Sequence, residues 1–428
     1  MNTPAPPVVI LGCGYVGTRL AQSLLADGVQ VRVCARRVAL LEPLRALGAE
    51  VHYLEASRSH QFGPAMLGLD QPVVVYSIPG VRDLPQGEAV RRAASAAYKV
   101  HARAFVYLGS SAVYGRSEGN DNSEWVDEDS AVATNDPEAG MRLADEAGVQ
   151  AVAQNGLRTV ILRLSAIYGP ALSPTLPARG VRQRLRGGQY KLWDGGRYYF
   201  SRIYVDDLVR IIRRAADRVV SGQAQNLMYV VGDDHPCPQG EYAAWLAQHL
   251  KLPMPPSVDS HLSGPGQIIR GRRLANARLR RELDLAMLYP SFREGEAQID
   301  ACEQSGTVPP LRLNGSESAK TEQSGAKPAN PAQPPLPTLQ TGLDFGVALG
   351  GQPVGVSMVT LAPGQTLEPA AHTGAQTPTV YLVLSGQLAV VRAGERVDVG
   401  PRTLVPGQAM LHNASAAPVE LIAIAPPR

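Results

Sequence analysis

The chain has 428 residues, 44% of them hydrophobic and 18% charged, with a net charge of +3. That length exceeds one ordinary domain, so two or three are expected, and the apolar content supports packed cores. A near-neutral balance without a long basic block gives no indication of nucleic acid, and no segment approaches the roughly 20 apolar residues that span a bilayer.

The first predicted element is an apolar run, Val8-Val9-Ile10-Leu11, leading directly into Gly12-Cys13-Gly14-Tyr15-Val16-Gly17. Apolar residues continue at Leu20, Leu24 and Leu25, so the pattern predicts a buried strand, a tight turn and a helix. The spacing G-x-G-x-x-G suits a dinucleotide: the first glycine permits the turn and the second lets the backbone approach a pyrophosphate. The third lets the helix pack on the strand, and the free N–H groups of the helix end face the anion. A glycine-rich turn without a ligand is the plainer alternative.

A second strand is expected over Gln30 to Cys34, followed by Ala35, Arg36 and Arg37. NAD sites usually place a carboxylate at this strand end to bind the ribose hydroxyls. Two arginines suit a 2′-phosphate instead, so NADP is expected, with NAD as the alternative. Arginines that only cap a solvated loop would explain the same residues.

Leu40 to Leu47 predicts a short helix, Glu50 to Leu54 a third strand ending at Glu55, and Pro72 to Ile78 a fourth. The fourth is nearly all apolar, as in a sheet covered on both faces. A helix over Gly87 to Val100 precedes a fifth strand, Phe105 to Leu108, which runs into Gly109-Ser110-Ser111-Ala112-Val113-Tyr114-Gly115. A polar, acidic loop follows, through Asn120, Asp121, Glu124 and Asp127 to Asp129, then a helix over Pro137 to Asn155 and a sixth strand, Thr159 to Leu164. This alternation predicts an α/β Rossmann fold, a doubly wound parallel sheet.

The order then loosens through Gly187-Gly188, Gly195-Gly196 and Tyr198-Tyr199-Phe200. Asp206 or Asp207 is expected to cap a helix, Leu227 to Val231 to form a strand and Gln239 to Leu250 a helix. Six arginines between Arg270 and Arg281 suit a solvated helix face, or contact with a phosphate-bearing substrate. The first domain is expected to span residues 1–302. Residues 303–337 are rich in Pro, Ser, Gln, Ala and Gly without an aromatic residue, which predicts a semi-extended linker. Residues 338–428 read as short strands between Pro-Gly, Ser-Gly and Ala-Gly turns, predicting a small all-β barrel.

Cys13, Cys34, Cys237 and Cys302 lack C-x-x-C spacing. Reduced thiols in a soluble cytoplasmic protein are expected, and no leader segment is evident at the N-terminus. The oligomeric state is not legible, a homodimer being one alternative.

Four motifs in order carry a resemblance: the glycine turn, Ser110-Ser111-Ala112-Val113-Tyr114-Gly115, Arg163-Leu164-Ser165-Ala166-Ile167-Tyr168-Gly169-Pro170, and Ile203-Tyr204-Val205-Asp206-Asp207. Over about residues 6–300 the chain resembles extended short-chain dehydrogenases of the NAD(P)-dependent epimerase/dehydratase family. Residues 273–295 look like the small C-terminal substrate lobe of an atypical branch. The resemblance implies a Rossmann domain and, often, nucleotide-sugar substrates. It also implies a Tyr acid/base, a Lys four residues on, and a Ser or Thr hydroxyl that orients the substrate.

Ser110 matches the hydroxyl, with Ser111 beside it, but the Tyr-x-x-x-Lys pair does not appear. Aligning the helix through Glu146 puts Glu138 at the Tyr position and Arg142 at the Lys position. Arg142 can hold a ribose or phosphate. Glu138 can act as a base, although an unperturbed carboxyl is a poor proton donor at neutral pH. An exposed i, i+4 ion pair is the alternative for these two. The acidic pair that dehydratases carry is replaced by Ser111 and Ala112, which argues against dehydration. The candidate catalytic set is Ser110, Ser111, Glu138 and Arg142. The candidate cofactor contacts are Gly12, Gly14, Tyr15, Val16, Gly17, Arg36, Arg37, Ser77, Arg142 and Ile167.

The C-terminal region resembles a cupin at Pro363-Gly364, His372, Val383-Leu384-Ser385-Gly386, Pro406-Gly407, His412 and Asn413. Metal-binding cupins use three His and a Glu, whereas Thr379 stands at the Glu position and His412 is out of register. No metal is expected there, and a small ligand or another subunit is the alternative occupant. Three functions follow: an NAD(P)-dependent oxidoreductase or epimerase on a small sugar-like substrate, a non-catalytic NADP(H)-binding protein, or a chain whose chemistry resides in the cupin.

Overall fold

A computed structural model describes residues 5–81, 83–115, 124–259 and 271–313, with strands and single residues between 347 and 425. Asn120, Asp121, Arg270, His372, Thr379 and residues 314–337 lie outside the described residues. The chain divides into two compact units, Met1–Lys320 and Thr321–Arg428.

In the first unit, strands β1 (Val8–Leu11), β2 (Val31–Ala35), β3 (Glu50–Tyr53), β4 (Val73–Tyr76) and β5 (Ala104–Leu108) join Thr159–Leu164 and Asn226–Val231 in one sheet. Its order is Asn226–Val231, Thr159–Leu164, β5, β4, β1, β2, β3, and every pairing is parallel. The residues are apolar in succession because both faces are covered. Ile10 and Val33 pack with Leu20, Leu24, Leu208 and Ile212 on one face. Val9, Leu11, Phe105 and Tyr107 pack with Val90, Ala93, Ala97 and Val149 on the other. These faces are supplied by helices α1 (Tyr15–Ala26), α2 (Glu42–Ala46), α3 (Glu88–Lys99), α4 (Pro137–Ala153) and α6 (Val205–Val220), while the short α5 (Arg182–Arg186) packs in a smaller lobe.

The strand sequence runs outward from β1 in both directions, so β1 and β4 meet at a topological switch point. Leu11 pairs with Cys34 on one side and Tyr76 on the other. In open parallel sheets such a crevice, beyond the carboxyl ends of the strands, is where ligands bind.

Asp206 and Asp207 do not cap α6, contrary to expectation; Tyr204 occupies the N-cap position. The two carboxylates instead lie in its first turn. Asp206 accepts both Arg19 nitrogens at 2.6 and 2.8 Å, and Asp207 accepts the Leu288 and Tyr289 amides at 2.8 Å each. Each anion ties a distant segment to the positive end of the helix, a stronger use of a buried carboxylate than a local cap.

Helices α7 (Gln239–His249), α8 (Ala277–Leu283) and α9 (Phe292–Ser305) complete this unit. A small core of Leu185, Tyr190, Leu192, Tyr242, Leu246 and Phe292 forms a lobe beside the sheet. Residues 303–313 stay on the first unit rather than beginning a free linker: Glu303 pairs with Arg182, the Pro309 carbonyl accepts Arg19, and the Leu313 amide donates to Asp27. One ion pair, two hydrogen bonds of backbone groups and the packing of Leu311 on the core hold this stretch.

In the second unit, the described strands pair as a five-stranded sheet and a four-stranded sheet. All their pairings are antiparallel. Among the described residues of the chain, no helix is long and apolar enough to cross a membrane.

Candidate functional site

At the switch point, Gly12 has φ +89°, and a Cβ there would lie 2.6 Å from Ile78 Cγ1 and 2.9 Å from the Ile78 nitrogen. The first glycine therefore admits the chain leaving β4, which the Ser77 amide ties to the Leu11 carbonyl at 2.8 Å. A Cβ on Gly17 would sit 3.1 Å from Ile10 Cγ2, which accounts for the third glycine as a helix–strand contact. Gly14 faces open space, with nothing within 4 Å, and no side chain caps the helix it begins. An uncapped helix end beside an unfilled backbone is what a pyrophosphate requires.

Tyr15 and Val16 contribute only their backbones to that end, because both side chains are buried in the core. The Tyr15 hydroxyl donates to the Pro170 carbonyl at 2.7 Å, and burial pushes its pKa well up. At the far side, Arg36 is exposed and its Nε lies 3.9 Å from Glu55 Oε2. The absence of a carboxylate after β2 thus does not leave the arginines without an acidic neighbour, since parallel pairing brings the end of β3 alongside. Arg37 is exposed at the start of a short 3-10 turn.

Beyond β5, Ser110 adopts an extended conformation and its Oγ accepts the Ala112 amide at 3.1 Å. Its own O–H remains a donor. Ser111 starts the 3-10 turn Ser111–Tyr114, half-buried. Ser165, which follows the Thr159–Leu164 strand, has a buried Oγ without a hydrogen-bond partner among the described residues. Its place at a strand end, within the motif from Arg163 to Pro170, is the sequence signal that points to it.

Helix α4 is capped by Asp136, which accepts the Glu138 and Ala139 amides at 2.9 and 3.0 Å. Its rotation is set by Glu146, which takes Arg163 bidentately at 3.0 and 2.8 Å, with both side chains buried. Arg163 also donates to the Tyr114 hydroxyl at 2.9 Å, which donates onward to the Asp127 carbonyl at 2.7 Å. Burial pushes the Tyr114 pKa up to about 12, so this phenol is an unsuitable acid/base at neutral pH. Four and eight residues before Glu146, on the same helix face, stand Arg142 and Glu138. Both are half-buried, and among the described residues no ion pair joins them. Arg142 Nε is buried without a partner among the described residues, beside Tyr107 and Asp145, whose side chains bond at 2.9 Å.

A cleft of about 530 Å³ opens beside these strand ends, lined by Ile167, Tyr168, Arg179, Arg184, Arg202 and Tyr242. The segment Ala166–Tyr168 pairs in parallel with Arg202–Tyr204, which brings Arg202 beside Ala166. Among the described residues, His235, Cys237 and Glu241 form one group with metal-ligand chemistry. Arg293 already binds Glu241 at 3.1 Å, and Arg202 donates to Cys237 Sγ at 3.3 Å. Two guanidiniums against these three groups oppose a divalent cation, so the group is better explained as an ion-pair cluster. The four cysteines are all buried and free.

A profile of the NAD dependent epimerase/dehydratase family matches residues 8–232. No curated protein sequence matches the chain. Among solved structures, a functionally unknown conserved protein of Silicibacter pomeroyi is 24% identical, covers 69% of this chain and 99% of its own, and superposes with a TM-score of 0.55. MoeE5 in complex with UDP-glucose and NAD is 21% identical over 70% of this chain and 100% of its own, with a TM-score of 0.56. The UDP-glucose 4-epimerase of Thermotoga maritima, solved with UDP-glucose, is 16% identical over 70% and 100%, with a TM-score of 0.59. At these identities the structures show a shared fold.

Proposed function

The chain belongs to the NAD dependent epimerase/dehydratase family, and from there we propose that it is an NAD(P)-dependent oxidoreductase or epimerase acting by hydride transfer on a sugar-like or nucleotide-sugar substrate. The observation that carries this is the switch-point turn, where Gly14 and an uncapped helix end face open space at the carboxyl ends of the parallel strands. The dinucleotide supplies hydride chemistry when bound. Backbone amides after Gly14 hold its pyrophosphate, the Ser110 hydroxyl orients a substrate oxygen by donating to it, and Arg142 supplies positive charge where the family carries a lysine. Glu138, which aligns with the family's tyrosine, is the candidate to exchange a proton.

The related proteins solved with NAD and with UDP-glucose support the substrate and cofactor classes. Buried free cysteines support a reducing, cytoplasmic setting. The paired antiparallel sheets of the second unit support the cupin-like barrel, with its ligand or subunit contact as its role. A second reading, a non-catalytic NADP(H)-binding protein, is favoured by Glu138 standing where a tyrosine is expected.

Two measurements test this. Ser110→Ala should lower turnover by about 100-fold or more and leave nucleotide affinity nearly intact, the scale of losing one positioned donor. Glu138→Gln should match that loss; if neither change alters hydride transfer to any sugar, aldehyde or ketone, the binding-protein reading replaces the enzyme. Cofactor choice is the second test. NADPH should bind several-fold tighter than NADH in a fluorescence titration, through Arg36 and Arg37. Glu55→Gln should widen that margin by roughly threefold, as a nearby charge at an exposed site is removed. A margin unmoved by Glu55→Gln, or NADH preferred throughout, would count against the arginines.

A further inference from the structure

The chain stays on the first unit beyond the end of α9. Gly306, at φ +66°, ends that helix in the left-handed conformation and turns the chain, and Ser305 Oγ accepts the Thr307 amide at 3.3 Å. Pro309 and Pro310 follow. Two prolines favour an extended backbone that needs no hydrogen bonds of its own, so little conformational freedom is lost when this stretch settles on a surface.

It is fixed at two points along α1 and its C-cap. Arg19 Nη2 donates to the Pro309 carbonyl at 2.8 Å, and the Leu313 amide donates to Asp27 Oδ2 at 2.9 Å. Between them, half-buried Leu311 packs on the core that α1 and α6 share with the sheet. The lengths agree: the helical rise from Arg19 to Asp27 is about 12 Å, and the extended chain from Pro309 to Leu313 covers about 12 Å.

The same two residues join α1 to α6. Arg19 binds Asp206 at 2.6 and 2.8 Å, and Asp27 binds Arg213 at 2.8 Å, with all four side chains no more than 10% exposed. Asp27 stands at the C-cap of α1, where the negative end of the helix opposes a carboxylate and makes its donors matter. Withdrawing the Leu313 amide or the Pro309 carbonyl leaves a buried charged group with one bond fewer.

We propose that residues 306–313 form a strap that stiffens α1 against α6, and that docking of the strap is coupled to nucleotide binding at the first turn of α1. The coupling rests on the proposed function, whereas the strap does not. Arg19 lies one turn beyond Tyr15, where the helix begins at the Gly14 backbone. A helix held at Arg19 and Asp27 keeps its N-terminal amides in one place, so a ligand on those amides meets less of the cost of ordering them. By linkage, the ligand favours the docked strap by the same factor as the strap favours the ligand.

Hydrogen–deuterium exchange of the full chain, read by mass spectrometry with and without NADPH, tests both halves. In the free protein the Leu313 amide should exchange about tenfold or more slower than open chain. Saturating NADPH should slow it about fivefold further, the low end of the coupling usual between two sites. Leu313→Pro removes the bonded N–H, and Leu311→Asp removes the apolar contact. Each should speed exchange in residues 19–27 and weaken NADPH binding about fivefold, in chains whose circular dichroism is unchanged. A Leu313 amide that exchanges as open chain does, or exchange in residues 19–27 unmoved by both variants, would overturn the strap. Unchanged NADPH affinity in variants whose residues 19–27 exchange faster would overturn the coupling. If neither variant folds, the wild-type response to NADPH decides alone. A wild type that binds neither NADPH nor NADH would overturn the proposed function and the coupling with it, and the strap would still be decided by residues 19–27.

Discussion

Glu146→Ala is expected to cost the chain about 3–5 kcal/mol of stability, the usual penalty for stranding one member of a buried ion pair. Arg163, buried on the Thr159–Leu164 strand, would keep its charge and lose both of its carboxylate bonds, of 3.0 and 2.8 Å. Its remaining contact, with the Tyr114 hydroxyl at 2.9 Å, is neutral and already shared with the Asp127 carbonyl. Urea unfolding followed by circular dichroism reads the loss directly. Replacing both partners, Glu146→Leu with Arg163→Met, should recover most of it, because two apolar side chains leave no charge stranded. If Arg142 holds the nucleotide as proposed, affinity should fall in the single variant and return in the double, since the pair fixes the rotation of the helix that carries it. A single-variant loss under about 1 kcal/mol would mean the pair is solvated, as exposed pairs are.

Gly12→Ala is expected to weaken dinucleotide binding by about 100-fold or more, with a measurable loss of stability. Two costs add: a positive φ, about 1–2 kcal/mol for a residue with a Cβ, and overpacking, typically 1–3 kcal/mol. The new methyl would stand 2.9 Å from the Ile78 nitrogen and the Ser77 carbonyl carbon, backbone atoms that cannot rotate away. Gly14→Ala separates fold from ligand. With nothing within 4 Å, the methyl should leave stability within about 0.5 kcal/mol, yet it should still cost nucleotide affinity by filling the pyrophosphate's place. Unchanged affinity in Gly14→Ala would mean that no ligand backbone passes over this turn.

Much of the fold follows from local pattern. The run at 8–11, the glycine spacing and the strand at 159–164 are legible because consecutive apolar residues declare a doubly covered strand and glycines declare a turn. Ser110 stands out through the motif that carries the family resemblance, two residues beyond β5. Short-range signals such as these act within a few residues of chain, and the sequence determined them.

What no pattern contains is the identity of partners far apart in sequence. Asp206 looks like a helix cap until Arg19 is placed against it, 187 residues away. Arg36 looks free of acidic neighbours until parallel pairing lays β3 beside β2 and brings in Glu55. Ser165 lies within a motif that says nothing of its burial, and only the packed structure distinguishes a satisfied polar group from an orphaned one. Local propensity acts between neighbours in the chain, whereas burial, charge compensation and cavity shape are sums over neighbours in space. The sequence by itself therefore determined that the chain folds as a dinucleotide-type sheet. Tertiary packing alone decided which distant partners answer the buried charges, as Asp206 answers Arg19 and Glu146 answers Arg163.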